Sequence, residues 1–328
     1  MTASDHQRER AVPGGVGRLL MPSGRFDVTT LRWVVAALLA VIALATPGFV
    51  SRPSLVSLLT TVSFIGCVAV GMTMITISGN IMSFSLGATV GASAMVFILV
   101  ANTAGALAGI AAAVLFGAAV SGLQGLVVGL VRANPIIVTI AALSIIFGVA
   151  DALSGSATLY AAGGLDLAAL KGSVLGVPIE FVVLVVAAVL GQLVLRYTVF
   201  GRNLYMLGAS FRAAEASGIR TWRTVTGAFA WAGAFSALAG IMLAIRYDGA
   251  SMNYGLGYDY DAVAAVLVGG TLMKGGEGSV LRTFGGALVI ATIQVVLLLQ
   301  GFRQEWQYLI AGLIVLFVIM LQTEGRRE

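Results

Sequence analysis

The sequence predicts an all-α integral membrane protein of about ten transmembrane helices, with eight to twelve as the range. Three observations predict it. Of the 328 residues, 59% are hydrophobic and only 10% are charged, against about 25% charged in a typical soluble domain. The apolar residues gather in runs near the roughly 20 residues that a helix needs to cross a bilayer. The basic residues fall into alternate connectors between those runs. The 42 glycines fit the same class, because glycine lets membrane helices approach closely.

The elements follow in order along the chain. Residues 1–31 are polar, carry Arg8, Arg10, Arg18, Arg25 and Pro13, and predict a disordered cytoplasmic tail. A transmembrane region extends over 32–322, followed by a short cytoplasmic tail, 323–328. Its first helix is predicted over 32–50. Ala43-Leu44-Ala45 imitates a signal-peptidase site, but the charged stretch before it is long for a signal peptide, so the helix is expected to be retained. Nine further runs follow: 55–78, 81–101, 104–130, 135–152, 179–197, 224–245, 258–273, 281–300 and 306–322. In lipid a helix satisfies its own backbone groups, so these runs predict helix rather than strand. The run 258–273 is the shortest and is broken by Gly269-Gly270, which predicts a half-helix or a re-entrant element.

With the N-terminus inside, ten alternating crossings place 15 Lys and Arg on the inner side and 4 (Arg52, Lys171, Arg246 and Arg303) on the outer side. That asymmetry predicts two cytoplasmic termini. It also assigns two long connectors. Residues 153–178 form an external loop of Gly, Ala and Ser. Residues 198–223 form an internal loop that mixes charges with Tyr205, Leu207, Phe211, Ile219 and Trp222. A solvated connector has little reason to keep those apolar side chains, so the loop is a candidate docking surface for a soluble partner.

Several chemistries are excluded or disfavoured. The single cysteine, Cys67, and single histidine, His6, leave no internal disulfide, no Cys/His metal site and almost no room for histidine catalysis. The net charge of +5 reads as membrane orientation, not nucleic-acid binding. Lys274-Gly275-Gly276-Glu277-Gly278-Ser279 lacks the Gly-Lys-Ser/Thr order of a phosphate loop, so any ATP that powers this protein is held by another chain. No predicted helix centre holds an ionisable residue, which argues against ion-coupled transport.

Polar residues interrupt the apolar runs at Ser78-Gly79-Asn80, Ser83 and Ser85, at Asn134-Pro135, and at Tyr258, Asp259 and Asp261. As helix caps they would be unremarkable, since proline suits a first helical turn. As polar groups beside a translocation path they would line a cavity, the one place where irregular backbone is tolerated at membrane depth. Asn80, Ser83, Ser85, Asn134, Tyr258 and Asp261 are the candidate path residues. Small residues at four-residue spacing (Gly87/Gly91, Gly105/Gly109, Gly125/Gly129 and Ala232/Ser236/Gly240) point to a compact bundle.

Three stretches resemble a known family. Gly201-Arg202-Asn203-Leu204-Tyr205-Met206-Leu207-Gly208 and Ala213-Ala214-Glu215-Ala216-Ser217-Gly218-Ile219 resemble the "GRxxYAxG…AAxxSGI" loop of bacterial ribose/xylose/galactose-type ABC importer permeases. Gly255 to Ala265 with Val268-Gly269-Gly270-Thr271 resembles the same family's "GxGYELDAIAAVVIGGT". Gly275 to Ala287 resembles its "GGxGSxxGTxxGA". Asn134 to Thr139 and Leu175 to Pro178 also fit. Where that family carries "GGIDLSVG", this chain reads Ser78 to Gly87 without the aspartate, and Arg282 stands where a small residue is usual.

The resemblance implies a multi-pass permease of the bacterial plasma (inner) membrane that binds no cofactor itself and does no covalent chemistry. It implies a second permease chain forming a homodimer, cytoplasmic ATPase subunits holding ATP and Mg, and an extracytoplasmic solute-binding protein. No nucleic acid is implied, and lipid surrounds the dimer. The solute expected is a monosaccharide or related polyol. Branched-chain amino acids, nucleosides or a signalling sugar derivative are the alternatives, with an ion-coupled secondary transporter behind them. At the matching loop positions, Arg202, Gly208, Arg212, Glu215, Ser217 and Gly218 would couple the permease to its ATPase.

Overall fold

The computed structural model describes residues 43 and 45–313, apart from 81, 163–170, 175, 304 and 311, together with 316. Both tails, most of the run 32–50 and much of the run 306–322 lie outside the described residues.

Seven long apolar helices are described. They are α1 (Arg52–Ile77), α2 (Leu86–Ala104), α3 (Ala106–Val131), α4 (Pro135–Ser154), α5 (Ile179–Tyr197), α8 (Thr221–Tyr247) and α10 (Val280–Leu299). The shortest have 19 residues, about 28 Å of helix at ~1.5 Å per residue, which is enough to cross a hydrocarbon core of ~30 Å with its edges. Sequence sets their ends. Ser51 accepts the Ser54 N–H at the start of α1 (3.4 Å) and Pro53 sits in its first turn, while Gly79 (φ +80°) turns the chain beyond the helix. Asn134 accepts the Ile136 N–H at the start of α4 (2.9 Å), with Pro135 at its first position.

The core is a bundle in which α1, α2, α3 and α8 pack most extensively, with α3 against α8 as the largest contact. Small residues make this possible. A Cβ added at Gly117 would lie 2.5 Å from the Gly233 carbonyl oxygen, and one at Gly125 would lie 2.6 Å from Phe229 Cβ. Backbone therefore rests on backbone, the arrangement by which membrane helices gain van der Waals contact without a hydrophobic driving force. By contrast, α4 and α5 stand at the periphery and leave Ile137, Ile140, Ile145, Val186 and Leu190 exposed, as suits a face toward lipid or another chain.

Two crossings are interrupted. The first is the passage from α1 to α2. The run predicted from residue 81 begins its helix only at Leu86, because 78–85 is a turn followed by non-helical chain. The second is the run predicted over 258–273. Its helix, α9 (Tyr258–Val268), has 11 residues, about 16 Å, too short to cross. Residues 269–279 form turns. α9 packs beside the start of α10: a Cβ on Gly286 would overlap the Ala265 carbonyl oxygen, and one on Gly269 would meet the Arg282 carbonyl at 2.6 Å. Its N-terminus lies deep, with Tyr258 edge-on to Phe64 (centroids 6.4 Å apart) and Phe64 midway along α1. The other half of this crossing is a short strand β4 (Gly249–Ala250) and a 3-10 turn (Met252–Gly255). The run is thus a half-helix completed by irregular chain.

The all-α expectation is met apart from two-residue strands. In the predicted external loop, β1 (Leu159–Tyr160) pairs antiparallel with β4, and β2 (Ser173–Val174) pairs with β3 (Val177–Pro178). The predicted internal loop 198–223 folds into two short helices, α6 (Val199–Ala209) and α7 (Phe211–Ala216), started by Thr198 and Ser210. Their hydroxyls accept the Gly201 and Ala213 N–H groups at 3.1 and 3.3 Å.

Candidate functional site

The two interrupted crossings meet. A Cβ on Gly87, in the first turn of α2, would lie 2.5 Å from the Gly255 carbonyl and 3.1 Å from Asp259 Oδ1, in the first turn of α9. Two helix N-termini therefore begin beside each other inside the bundle. Such ends carry unsatisfied N–H groups and a partial positive charge.

The candidate path residues divide around this junction. Ser83 and Ser85 are fully buried and joined, Oγ to Oγ at 3.2 Å. Ser85 Oγ donates to Gln124 Oε1 of α3 (2.6 Å), and the Phe84 N–H donates to Thr139 Oγ1 of α4 (3.3 Å). Side chains of two neighbouring helices thus hold the non-helical stretch before α2. Tyr258 and Asp261 share the first turn of α9; Asp261 is buried, and its Oδ1 has no hydrogen-bond partner among the described residues. Asp259 and Asp261 are thus buried ionisable residues deep in the bundle, contrary to the expectation that no helix centre holds one. Asn80 and Asn134 lie elsewhere. Asn80 donates through Nδ2 to Ser78 Oγ (2.8 Å), and Asn134 serves as the exposed N-cap of α4.

Gln124 was not among the predicted residues. Its Oε1 receives Ser85, while its Nε2 is buried without a partner among the described residues. An unmade hydrogen bond of this kind costs about 1–3 kcal/mol. The signal in the sequence was a lone glutamine inside the run 104–130.

The candidate coupling residues lie on α6 and α7. Gly208 is the closest contact of the region: a Cβ there would overlap both the Ile77 carbonyl oxygen and the Gly276 nitrogen. The Gly276 N–H itself donates to the Ile77 carbonyl (2.9 Å). Three backbones (the end of α1, the end of α6 and the turn before α10) therefore touch at one point. Tyr205 adds a second tie, donating its hydroxyl to the Gly278 carbonyl (2.8 Å). Burial pushes its phenol above its ordinary pKa, partly offset by Arg282, so it stays a donor at neutral pH.

Glu215 on α7 pairs with Arg132 at the end of α3 (2.6 Å), and Arg132 also lies over the Phe211 ring, 4.9 Å from its centroid. Ser217 Oγ donates to the Ala213 carbonyl (2.8 Å), and Gly218 (φ +77°) turns the chain toward α8. Arg202 and Arg212 are exposed. Between these elements lies a cavity of about 460 Å³ lined by Asn80, Arg132, Gly208, Phe211 and Lys274 among others.

The Arg132–Glu215 pair makes a modest, testable contribution. Both side chains are more than half exposed, so the pair is worth at most about 1 kcal/mol. Glu215→Arg sets two arginines together and is expected to lower transport severalfold while membrane insertion is unchanged. Adding Arg132→Glu is expected to recover most of the loss. Equal uptake in the single and double variants would remove the pairing as the cause.

Comparison with known proteins places these features. The family model described as branched-chain amino acid transport system / permease component matches residues 54–319. The ribose import permease protein RbsC of Bacillus subtilis is 30% identical over 87% of this chain and 89% of its own length. The protein of the same name from Escherichia coli K12 is 27% identical over 88% and 91%. The L-arabinose ABC transporter permease protein AraH of Azospirillum brasilense is 29% identical over 96% and 91%. No solved structure matches. The match spans both interrupted crossings and the α6–α7 element, and it makes this a multi-pass membrane transport component rather than an enzyme. The chain belongs to the branched-chain amino acid transport system / permease component family.

Proposed function

We propose that this chain is the permease subunit of an ATP-binding-cassette importer of the bacterial inner membrane, moving a monosaccharide or related polyol delivered by an extracytoplasmic binding protein. The observation that carries the reading is the triple backbone contact at Gly208. A force on α6 from a cytoplasmic ATPase passes without slack to the turn at 78–80 and the turn at 274–276. These turns adjoin the non-helical stretch before α2 and the start of α10, so α6 is linked to both interrupted crossings. In this reading ATP and magnesium belong to the ATPase subunit, and two copies of the permease form the dimer. Residues 1–31 and 323–328 are cytoplasmic tails. The solute class rests on the sugar names of relatives that span most of the chain.

The test is uptake by proteoliposomes holding the permease, its ATPase and its binding protein. ATP-dependent accumulation of labelled ribose, arabinose or xylose is expected. Accumulation by the permease alone under an ion gradient would sink the importer reading. The family description favours a second reading, branched-chain amino acids, and ATP-dependent uptake of leucine in place of the sugars would establish it.

A further inference from the structure

One aromatic pair lies where neither lipid nor helix packing explains it. Tyr260 follows Tyr258 in the first turn of α9 and is 61% exposed. Its ring meets Phe84, with centroids 6.1 Å apart and the planes tilted by 54°. Phe84 belongs to the other interrupted crossing and is fixed there by its N–H bond to Thr139. The pair therefore bridges the two interrupted crossings on an exposed face.

Depth gives this exposure its meaning. Ala265 packs at Gly286, six residues into α10. Tyr260 lies five residues nearer the N-terminus of the antiparallel α9, roughly 17 Å from the inner end of α10 at ~1.5 Å per residue. Tyr258, two residues away, packs on Phe64 at the middle of α1. Tyrosines that face lipid gather at the two interfaces, where the hydroxyl reaches water, and not at the centre. A hydroxyl exposed at the centre of the bilayer has no hydrogen-bond partner in hydrocarbon. The face that carries Tyr260 therefore meets water or another protein surface rather than hydrocarbon.

We infer that Phe84 and Tyr260 line the aqueous translocation path and act as its specificity-determining surface. The rings take the apolar carbon face of a ring-form sugar, and the Tyr260 hydroxyl meets one of its hydroxyl groups. The aromatic face suits a pyranose or furanose, whose C–H bonds lie on one side, better than a charged amino acid. This solute assignment rests on the importer reading above; the path assignment does not.

Two measurements on the full transporter test the inference. In the first, Tyr260→Cys is labelled with a membrane-impermeant thiol reagent applied to both sides. The wild type, whose Cys67 is buried, gives the background, and Val186→Cys and Leu190→Cys on the exposed apolar face of α5 give the reference rate. Faster labelling at 260 than at 186 and 190 is expected, and labelling no faster would overturn the path assignment. In the second, uptake of labelled ribose, arabinose and xylose is compared among wild type, Tyr260→Phe and Tyr260→Leu. Aromatic contacts of this kind correspond to about 3- to 10-fold in rate. Tyr260→Phe is expected to keep most of the uptake, and Tyr260→Leu to lose about that factor for the best-transported sugar. Unchanged uptake by Tyr260→Leu would overturn the stacking role. A wild type that moves none of the three sugars would overturn the solute assignment, while the labelling result would still decide the path.

Discussion

Gly208→Val is expected to abolish ATP-driven uptake while the protein still inserts. The added side chain would occupy space already filled by the Ile77 carbonyl and the Gly276 nitrogen. Both are backbone atoms, so no rotamer change relieves the overlap. Relief requires α6 to move away from the two turns, and that separation opens the link proposed to carry ATPase motion. Overpacking of this kind costs about 3 kcal/mol at the upper end of its usual range, equivalent to a loss of about 100-fold. The measurement is ATP-dependent uptake beside ATPase activity of the assembled complex. Uptake is expected to fall to background while ATP hydrolysis persists, the pattern of uncoupling. Gly148→Ala serves as the control, because no described residue lies within 4 Å of a Cβ there. Full uptake by Gly208→Val would refute the idea that α6 transmits force through this contact.

Gly233→Leu is expected to have the largest effect on stability. Gly233 sits at the centre of the α3–α8 contact, where a Cβ would overlap the Gly117 carbonyl and press on Ser121 Oγ at 2.5 Å. A leucine forces the two helices apart along the most extensive interface of the bundle, and the lost dispersion contacts are what hold membrane helices together. A cost near the upper end of the overpacking range, about 3 kcal/mol, follows, or roughly 6–12 °C in the midpoint of thermal unfolding. The check is a thermal-stability measurement on detergent-solubilised protein, with Gly148→Ala again as the reference. A midpoint within 2 °C of the wild type, an order-of-magnitude threshold, would show that the interface is looser than the structure has it.

The two predictions rest on glycines of different legibility. Gly233 was not among the small residues read at four-residue spacing, which in this helix are Ala232, Ser236 and Gly240, and neither its environment nor its partner Gly117 was legible in sequence. Gly208 was visible as a motif position, but its significance was not, because its neighbours Ile77 and Gly276 lie far from it along the chain. The interruption at residues 80–85 was legible only in part. Its serines and asparagine marked a boundary, yet the run was expected to become helical at residue 81, because Ile81, Met82 and Phe84 are apolar. The hydroxyls of Ser83 and Ser85, the Gln124 amide and the Thr139 hydroxyl supply contacts that a helix there would have to replace. For the run 258–273, Gly269-Gly270 announced where the helix ends. That its N-terminus lies near the middle of the bundle was not legible.

Composition and periodicity by themselves determined the class of this protein and the approximate positions of its long helices. These follow from local quantities: the apolar length needed to cross a bilayer, and the placement of basic residues in the connectors. Only the tertiary structure decided which polar residues meet, that two interrupted crossings share a junction, and that α6 grips two distant turns through one glycine. Those properties depend on contacts between segments far apart in sequence, where the approach distance of two backbones, rather than the character of either segment, sets the outcome.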